Sequence, residues 1–112
     1  MFYTYDQNNS GGYFIENENV REYLIIEADN VHEANSKMFD ITEDYSEFCE
    51  CCGARWDVIY GSDSEGKEEP MIYSTPVDEV EKEMFRNSCI IYYKNGDKRI
   101  VEFKESEDKW LT

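Results

Sequence analysis

Two apolar runs, Cys89-Ile90-Ile91-Tyr92-Tyr93-Lys94 and Asp97-Lys98-Arg99-Ile100-Val101-Glu102-Phe103, flank the dipeptide Asn95-Gly96. Asn-Gly reaches the two positive φ angles of a type I′ turn at little steric cost, and the twist of that turn matches the twist of paired strands. The segment is therefore predicted to be an antiparallel hairpin, and it is the strongest local constraint on the fold. With a two-residue loop, Ile91 faces Ile100, Ile90 faces Val101, and Tyr92 lies opposite Arg99. A bulged loop would shift that register.

The remaining elements are read outward from this anchor. Leu24-Ile25-Ile26, inside Val20–Ala28, suits a strand buried on both faces and is the best candidate for the sheet centre. Phe2–Tyr5 and Tyr13–Ile15 flank the turn formers Asp6–Gly12 and are predicted to pair as a first hairpin. Asn30-Val31-His32-Glu33 fits a capping box, so a helix is expected to start there with Val31, Ala34, Met38 and Ile41 facing the sheet. Trp56, Val58 and Tyr60 share one face of a predicted strand. Residues 61–70 read as an exposed loop, Met71–Tyr73 as a short strand, and Thr75-Pro76-Val77-Asp78 as the start of a second helix with Val77, Val80 and Met84 inward. The expected architecture is a single compact α+β domain over residues 1–112, with about six mainly antiparallel strands and two helices. The tail over 105–112 is expected to be mobile.

The chain has 112 residues, of which 40% are hydrophobic, including nine Tyr, six Phe and two Trp. That aromatic content supports one core and argues against disorder, which needs low hydrophobicity together with high charge. The net charge of −15 is unevenly placed. Met1 to Glu83 holds 21 acidic and 5 basic residues, whereas Met84 to Thr112 holds 5 and 6. A field of this sign repels phosphates and anionic membranes, so direct nucleic-acid or lipid binding is not expected, and a basic protein is the natural complement. No run approaches the roughly 18 apolar residues of a membrane span, and Met1–Asp6 lacks the form of a signal peptide. A cytosolic location follows as an expectation, with four cysteines as free thiols or metal ligands.

The chemically loaded segment is Phe48-Cys49-Glu50-Cys51-Cys52-Gly53-Ala54-Arg55-Trp56. Cys49-x-x-Cys52-Gly53 has the form of a zinc knuckle, in which a tight turn aims two thiolates at one metal. Structural zinc takes four ligands, and a site of Cys49, Cys52, Cys89 and His32 would need a helix start and a distant hairpin to converge on the knuckle. Reduced cysteines acting as small apolar residues are the simpler reading. Redox chemistry is disfavoured, because five acidic residues within eight positions of Cys49 suppress the thiolate. His32 is the only histidine and has no base partner. No phosphate loop, nucleophile elbow or dinucleotide fingerprint is present, so no catalytic residue is assigned and no enzyme is expected. Arg55 and Trp56 could form a stacking surface, although Trp56 also fits a core position.

The order of three stretches, Glu27–Asn35, Cys49–Trp56 and the final hairpin, resembles a family of small uncharacterised proteins of tailed bacteriophages over residues 13 to 103. Its Cys-x-Cys-Cys-Gly-x-Arg-Trp segment is the most specific part, and the family usually carries an acidic residue where this chain has Ala54. The resemblance implies phage origin and the host cytoplasm, and it implies no activity. With it, the leading expectation is a non-enzymatic accessory protein that binds a basic host protein, its carboxylates standing in for a phosphate array. The partner-binding candidates are Arg55, Trp56, Glu43, Asp44, Glu47, Glu79, Glu81 and Glu83. The alternatives are a zinc-knuckle or thiol-containing interaction module with one structural zinc, and a pocket sequestering a nucleotide-like signal through Arg55, Lys98 or Arg99.

Overall fold

Leu24, Ile25 and Ile26 are fully buried at the centre of a four-stranded sheet, as their unbroken apolar run predicts. In the computed structural model, residues 1–8, 14–45, 48–49, 53–56, 66–72, 75–82 and 88–103 are described. The sheet contains β1 (Phe2–Asp6), β2 (Tyr23–Glu27), β7 (Ser88–Tyr92) and β8 (Lys98–Glu102), in the order β1-β2-β7-β8. β1 pairs antiparallel with β2, and β7 pairs antiparallel with β8. The central pair is parallel, with Tyr23 beside Cys89 and Ile26 beside Tyr92. The sheet is therefore mixed, and the expected first hairpin is replaced. The partner of β1 is β2, while the described part of the expected second arm, Phe14 and Ile15, is outside the strands.

Side chains alternate cleanly across this sheet. One face carries Tyr3, Tyr5, Leu24, Ile26 and Ile90, and it is covered by α1 (Val31–Thr42) through Ala34 and Met38, with Val20 and Trp56 alongside. The other carries Tyr23, Ile25, Cys89 and Ile91, and it is covered by Ile72, Val77, Val80 and Phe103. Each fully buried Leu or Ile contributes roughly 2 kcal/mol of transfer free energy, so the parallel β2–β7 junction, buried on both faces, is the energetic centre. The helix starts as predicted. Asn30 is extended at φ −155°, and its Oδ1 accepts from the Glu33 amide at 2.9 Å. The Glu33 carboxylate meets Lys37 one turn on, at 3.0 Å. Past Thr42 the helix tightens into a 3-10 turn over Glu43–Tyr45.

Two smaller pairings complete the described chain. β3 (Phe48–Cys49) and β4 (Gly53–Ala54) pair antiparallel, with Cys49 opposite Gly53, so the cysteine segment doubles back on itself. β5 (Met71–Ile72) pairs with β6 (Thr75–Pro76). The predicted second helix is reduced to one 3-10 turn, Val77–Glu79, because Val80 returns to extended backbone at φ −70° and ψ 129°. Val77 and Val80 face inward as expected, and Met84 lies outside the described residues. So do Val58 and Tyr60 of the predicted strand after Trp56, most of the 61–70 loop, and the 105–112 tail.

The final hairpin forms, but one residue out of the expected register. Ile90 faces Ile100, Cys89 faces Val101, and Ile91 faces Arg99. The Tyr93 amide donates to the Asp97 carbonyl at 2.8 Å, and the Gly96 amide donates to the Tyr93 carbonyl at 3.1 Å. The loop is thus Lys94-Asn95-Gly96, with Gly96 at φ +95°, a three-residue turn closed by a glycine bulge rather than a two-residue type I′ turn.

Candidate functional site

Arg55 lies at the centre of the polar interior. It follows β4 directly and is 1% exposed, with its Nη1 donating to Gln7 Oε1 at 3.1 Å and to the Asn8 carbonyl at 2.9 Å. Gln7, also buried, uses its whole amide. Its Nε2 donates to the carbonyls of Ile15 and Arg21, each at 3.0 Å, and its Oε1 also accepts from the Ile15 amide at 2.6 Å. A buried guanidinium costs several kcal/mol unless it is hydrogen-bonded, and the bonds from Nη1 tie the end of β1, the 14–22 segment and β4 together through Gln7. Trp56 beside it is 5% exposed and joins the core. Arg55 and Trp56 are thus both buried, Trp56 in the apolar core and Arg55 against Gln7 and the Asn8 carbonyl.

The surface is governed by how the cations are spent. Lys37 pairs with Glu33, Lys94 with Asp29, Arg99 with Asp78, and Arg21 lies near Glu16 at 3.9 Å and Glu102 at 4.0 Å. Lys98 donates to the Glu18 carbonyl at 2.9 Å and lies 5.9 Å from the Tyr92 ring centre. The hydrogen bond from Lys94 holds the Asp29 carboxyl below its usual range. Against these pairs, Asp40, Glu43, Asp44, Glu68, Glu69, Glu79 and Glu81 are exposed.

One group of these acids is placed against the helix dipole. Asp40, Glu43 and Asp44 sit at the C-terminal end of α1 and in the turn that extends it, and the last turn carries no basic residue. Helix C-termini carry partial negative charge, so carboxylates there are unfavourable by several tenths of a kcal/mol each. Phe39 stands in the same turn and is 54% exposed, the most exposed large hydrophobic residue among those described. An exposed ring face, nearby carboxylates and the carbonyls of a helix C-terminus all attract positive charge. Glu43 and Asp44 were legible as candidates from charge alone. Phe39 and Asp40 were not singled out, although Phe39 falls about 100° round the helix from the inward Met38 and so off its apolar stripe.

A family model described as a domain of unknown function, DUF7296, matches residues 1–109. The chain belongs to the DUF7296 family. No curated protein and no solved structure matches it. The match in DUF7296 takes in both sheet faces, the Gln7–Arg55 tie and the α1 surface together.

The other residue sets expected from the sequence are only partly within the described residues of this DUF7296 chain. His32 is exposed on the first turn of α1, which covers one face of the sheet, whereas Cys89 is fully buried on the opposite face. The sheet lies between His32 and Cys89, and Cys52 lies outside the described residues. Among the described residues no group of three or more His, Cys, Asp or Glu could hold a metal ion. Burial pushes the Cys89 thiol up to about 12, as suits a small apolar core residue. Lys98 and Arg99 are successive on β8 and point to opposite faces, and Arg55 is interior, so the three cations do not converge on one phosphate. Glu79 and Glu81 are exposed, and Glu47 and Glu83 lie outside the described residues. Among the described residues no helix is long and apolar enough to cross a membrane.

Proposed function

We propose that the protein is a non-enzymatic, phage-encoded accessory protein that works in the host cytoplasm by occupying a basic surface of a host protein. Nucleic-acid-binding machinery, including defence proteins, is the class whose surfaces fit. The observation that carries this reading is the exposed Phe39 in one turn with Asp40, followed by the exposed Glu43 and Asp44, at a helix end whose last turn contains no basic residue. Negative charge at this end of α1 and an exposed ring face both favour the approach of a Lys or Arg of a partner. The net charge of −15 adds long-range steering toward basic surfaces and repels competing nucleic acid. The carboxylates then take the place of phosphates on the partner.

The test is affinity capture from infected host cells with the wild-type chain and with a variant carrying Phe39→Ala, Asp40→Asn, Glu43→Gln and Asp44→Asn. A nucleic-acid-binding protein held by the wild type at low salt, released as salt rises, and absent from the variant is the expected result. Equal capture by the variant moves the contact elsewhere on the molecule. Failure to retain any nucleic-acid-binding protein at low salt refutes the function itself.

A further inference from the structure

The two edges of the central sheet are not alike. β1 is closed: Phe2 exchanges both backbone hydrogen bonds with Lys67, at 2.7 and 2.8 Å, and the Thr4 hydroxyl donates to the Met71 carbonyl at 2.7 Å. β8 is the opposite edge, and among the described residues no strand pairs with its outer side. The Tyr93–Asp97 pair is hydrogen-bonded, and hydrogen-bonded and non-bonded pairs alternate along an antiparallel ladder. Arg99 and Val101 therefore turn their backbone groups toward β7, and Lys98, Ile100 and Glu102 turn theirs outward. An edge of this kind is a template for another strand.

We infer that β8 is the interface of a symmetric dimer, in which it pairs antiparallel with β8 of a second copy about a two-fold axis at Ile100. The sequence Lys98-Arg99-Ile100-Val101-Glu102 is self-complementary in that register alone. Ile100 meets its own copy, Lys98 meets Glu102 in both halves, and Arg99 meets Val101. All three outward-facing residues then fall in hydrogen-bonded pairs, as the geometry requires. A shift of two residues one way places Arg99 opposite Arg99, and the other way places Ile100 opposite Glu102, so the charges hold the register. Ile100 is 38% exposed, one of three exposed large hydrophobic residues among those described. Glu102 is 79% exposed, and its long 4.0 Å contact with Arg21 would be exchanged for one with Lys98 of the second copy.

Charge selects a second copy as the occupant. Two chains of −15 repel, but Met84 to Thr112, which contains this hairpin, has five acidic and six basic residues. The described hairpin, residues 88–103, itself holds three basic and two acidic residues, so this edge lacks the net negative charge of the rest of the sequence. Because β1 is closed, the pairing ends at two chains and does not grow into a fibre. The pairing adds backbone hydrogen bonds and little apolar area, which makes it a weak dimer strengthened by salt, since screening removes the overall repulsion. This salt response is opposite in sign to that of the basic-partner contact, so the two proposals fail separately.

The experiment is sedimentation equilibrium of the full chain as wild type, Lys98→Glu, Glu102→Lys and the double swap. It is run up to about 1 mM protein at low salt and at about 0.5 M salt. The expected result is a concentration-dependent dimer, tighter at high salt, that each single swap weakens about tenfold and the double swap restores. Circular dichroism confirms that the variants keep the fold. A wild type that stays monomeric at the highest concentration in high salt overturns the proposal. So does a dimer whose strength the single swaps leave unchanged, or one that the double swap fails to restore.

Discussion

Replacing Gln7 by Met tests whether the interior is organised around a polar tie. The substitution keeps the side-chain length and removes the amide. Three neutral hydrogen bonds are lost, from Nε2 to the Ile15 and Arg21 carbonyls and from the Ile15 amide to Oε1, together with one bond from the charged Arg55. Neutral bonds are worth about 1 kcal/mol each and charge-assisted ones about 1.5 to 3, so the gross loss is about 5 kcal/mol. Gln7 is 6% exposed, close enough to the surface for water to take over some acceptors, which brings the expectation to about 3 to 4 kcal/mol. That is a large share of the roughly 5 to 15 kcal/mol that stabilises a typical domain. Urea unfolding followed by far-ultraviolet circular dichroism measures it, as a lowered midpoint at unchanged slope. Combined with Arg55→Met in a double-mutant cycle, the two losses should overlap by about 1.5 kcal/mol or more. A loss below about 1 kcal/mol for Gln7→Met, or strict additivity with Arg55→Met, would show that water rather than Gln7 satisfies the guanidinium and would refute the reasoning.

Asn30→Ala should cost about 1 kcal/mol by removing the acceptor for the Glu33 amide, while Asn30→Asp, which keeps it, should be near neutral; thermal denaturation separates the two. Cys89 should resist iodoacetamide at about pH 8 in the native protein and react once the chain is unfolded, as read by peptide mass mapping. The same burial raises the thiol from 9.0 to about 12, so the folded state holds its proton more tightly, and stability should fall as pH rises through that window. Tyr5, raised by burial and then by Tyr3, acts in the same direction at higher pH. A Cys89→Ala variant whose stability falls as steeply between pH 9 and 11 as that of the wild type would locate the effect elsewhere.

Local chemistry in the sequence was a good guide where one residue decides the geometry. Asn30 caps the helix it was expected to cap, Val31, Ala34, Met38 and Ile41 face the core, and the Leu24–Ile26 run lies at the sheet centre. Pairing over distance was less legible. Nothing near Phe2–Tyr5 shows that its partner is Tyr23–Glu27 rather than the nearer Tyr13–Ile15, because alternation marks a strand and not its neighbour. Asn95-Gly96 named the hairpin but not its loop length, since a glycine at positive φ serves the bulged turn as well as the two-residue one. At the candidate site, charge alone points to Glu43 and Asp44, whereas the burial of Arg55 has no local signal in the sequence. An arginine in an acidic chain reads as a surface residue, and two of its acceptors, a glutamine side chain and a backbone carbonyl, lie 48 and 47 positions away, where no local pattern points to them.

The parallel pairing of β2 with β7 sets the order in which this protein can come into being. Strands joined in this way cannot form as a local hairpin, and here one lies in the first quarter of the chain and the other in the last. During synthesis α1 and β2 emerge long before the residues that complete the sheet, and the apolar Leu24–Ile26 run must wait without its β7 neighbour. Folding should accordingly be slow for so small a chain, limited by a long-range encounter rather than by local structure. The waiting strand is then the segment most exposed to chaperones and proteases on a nascent chain.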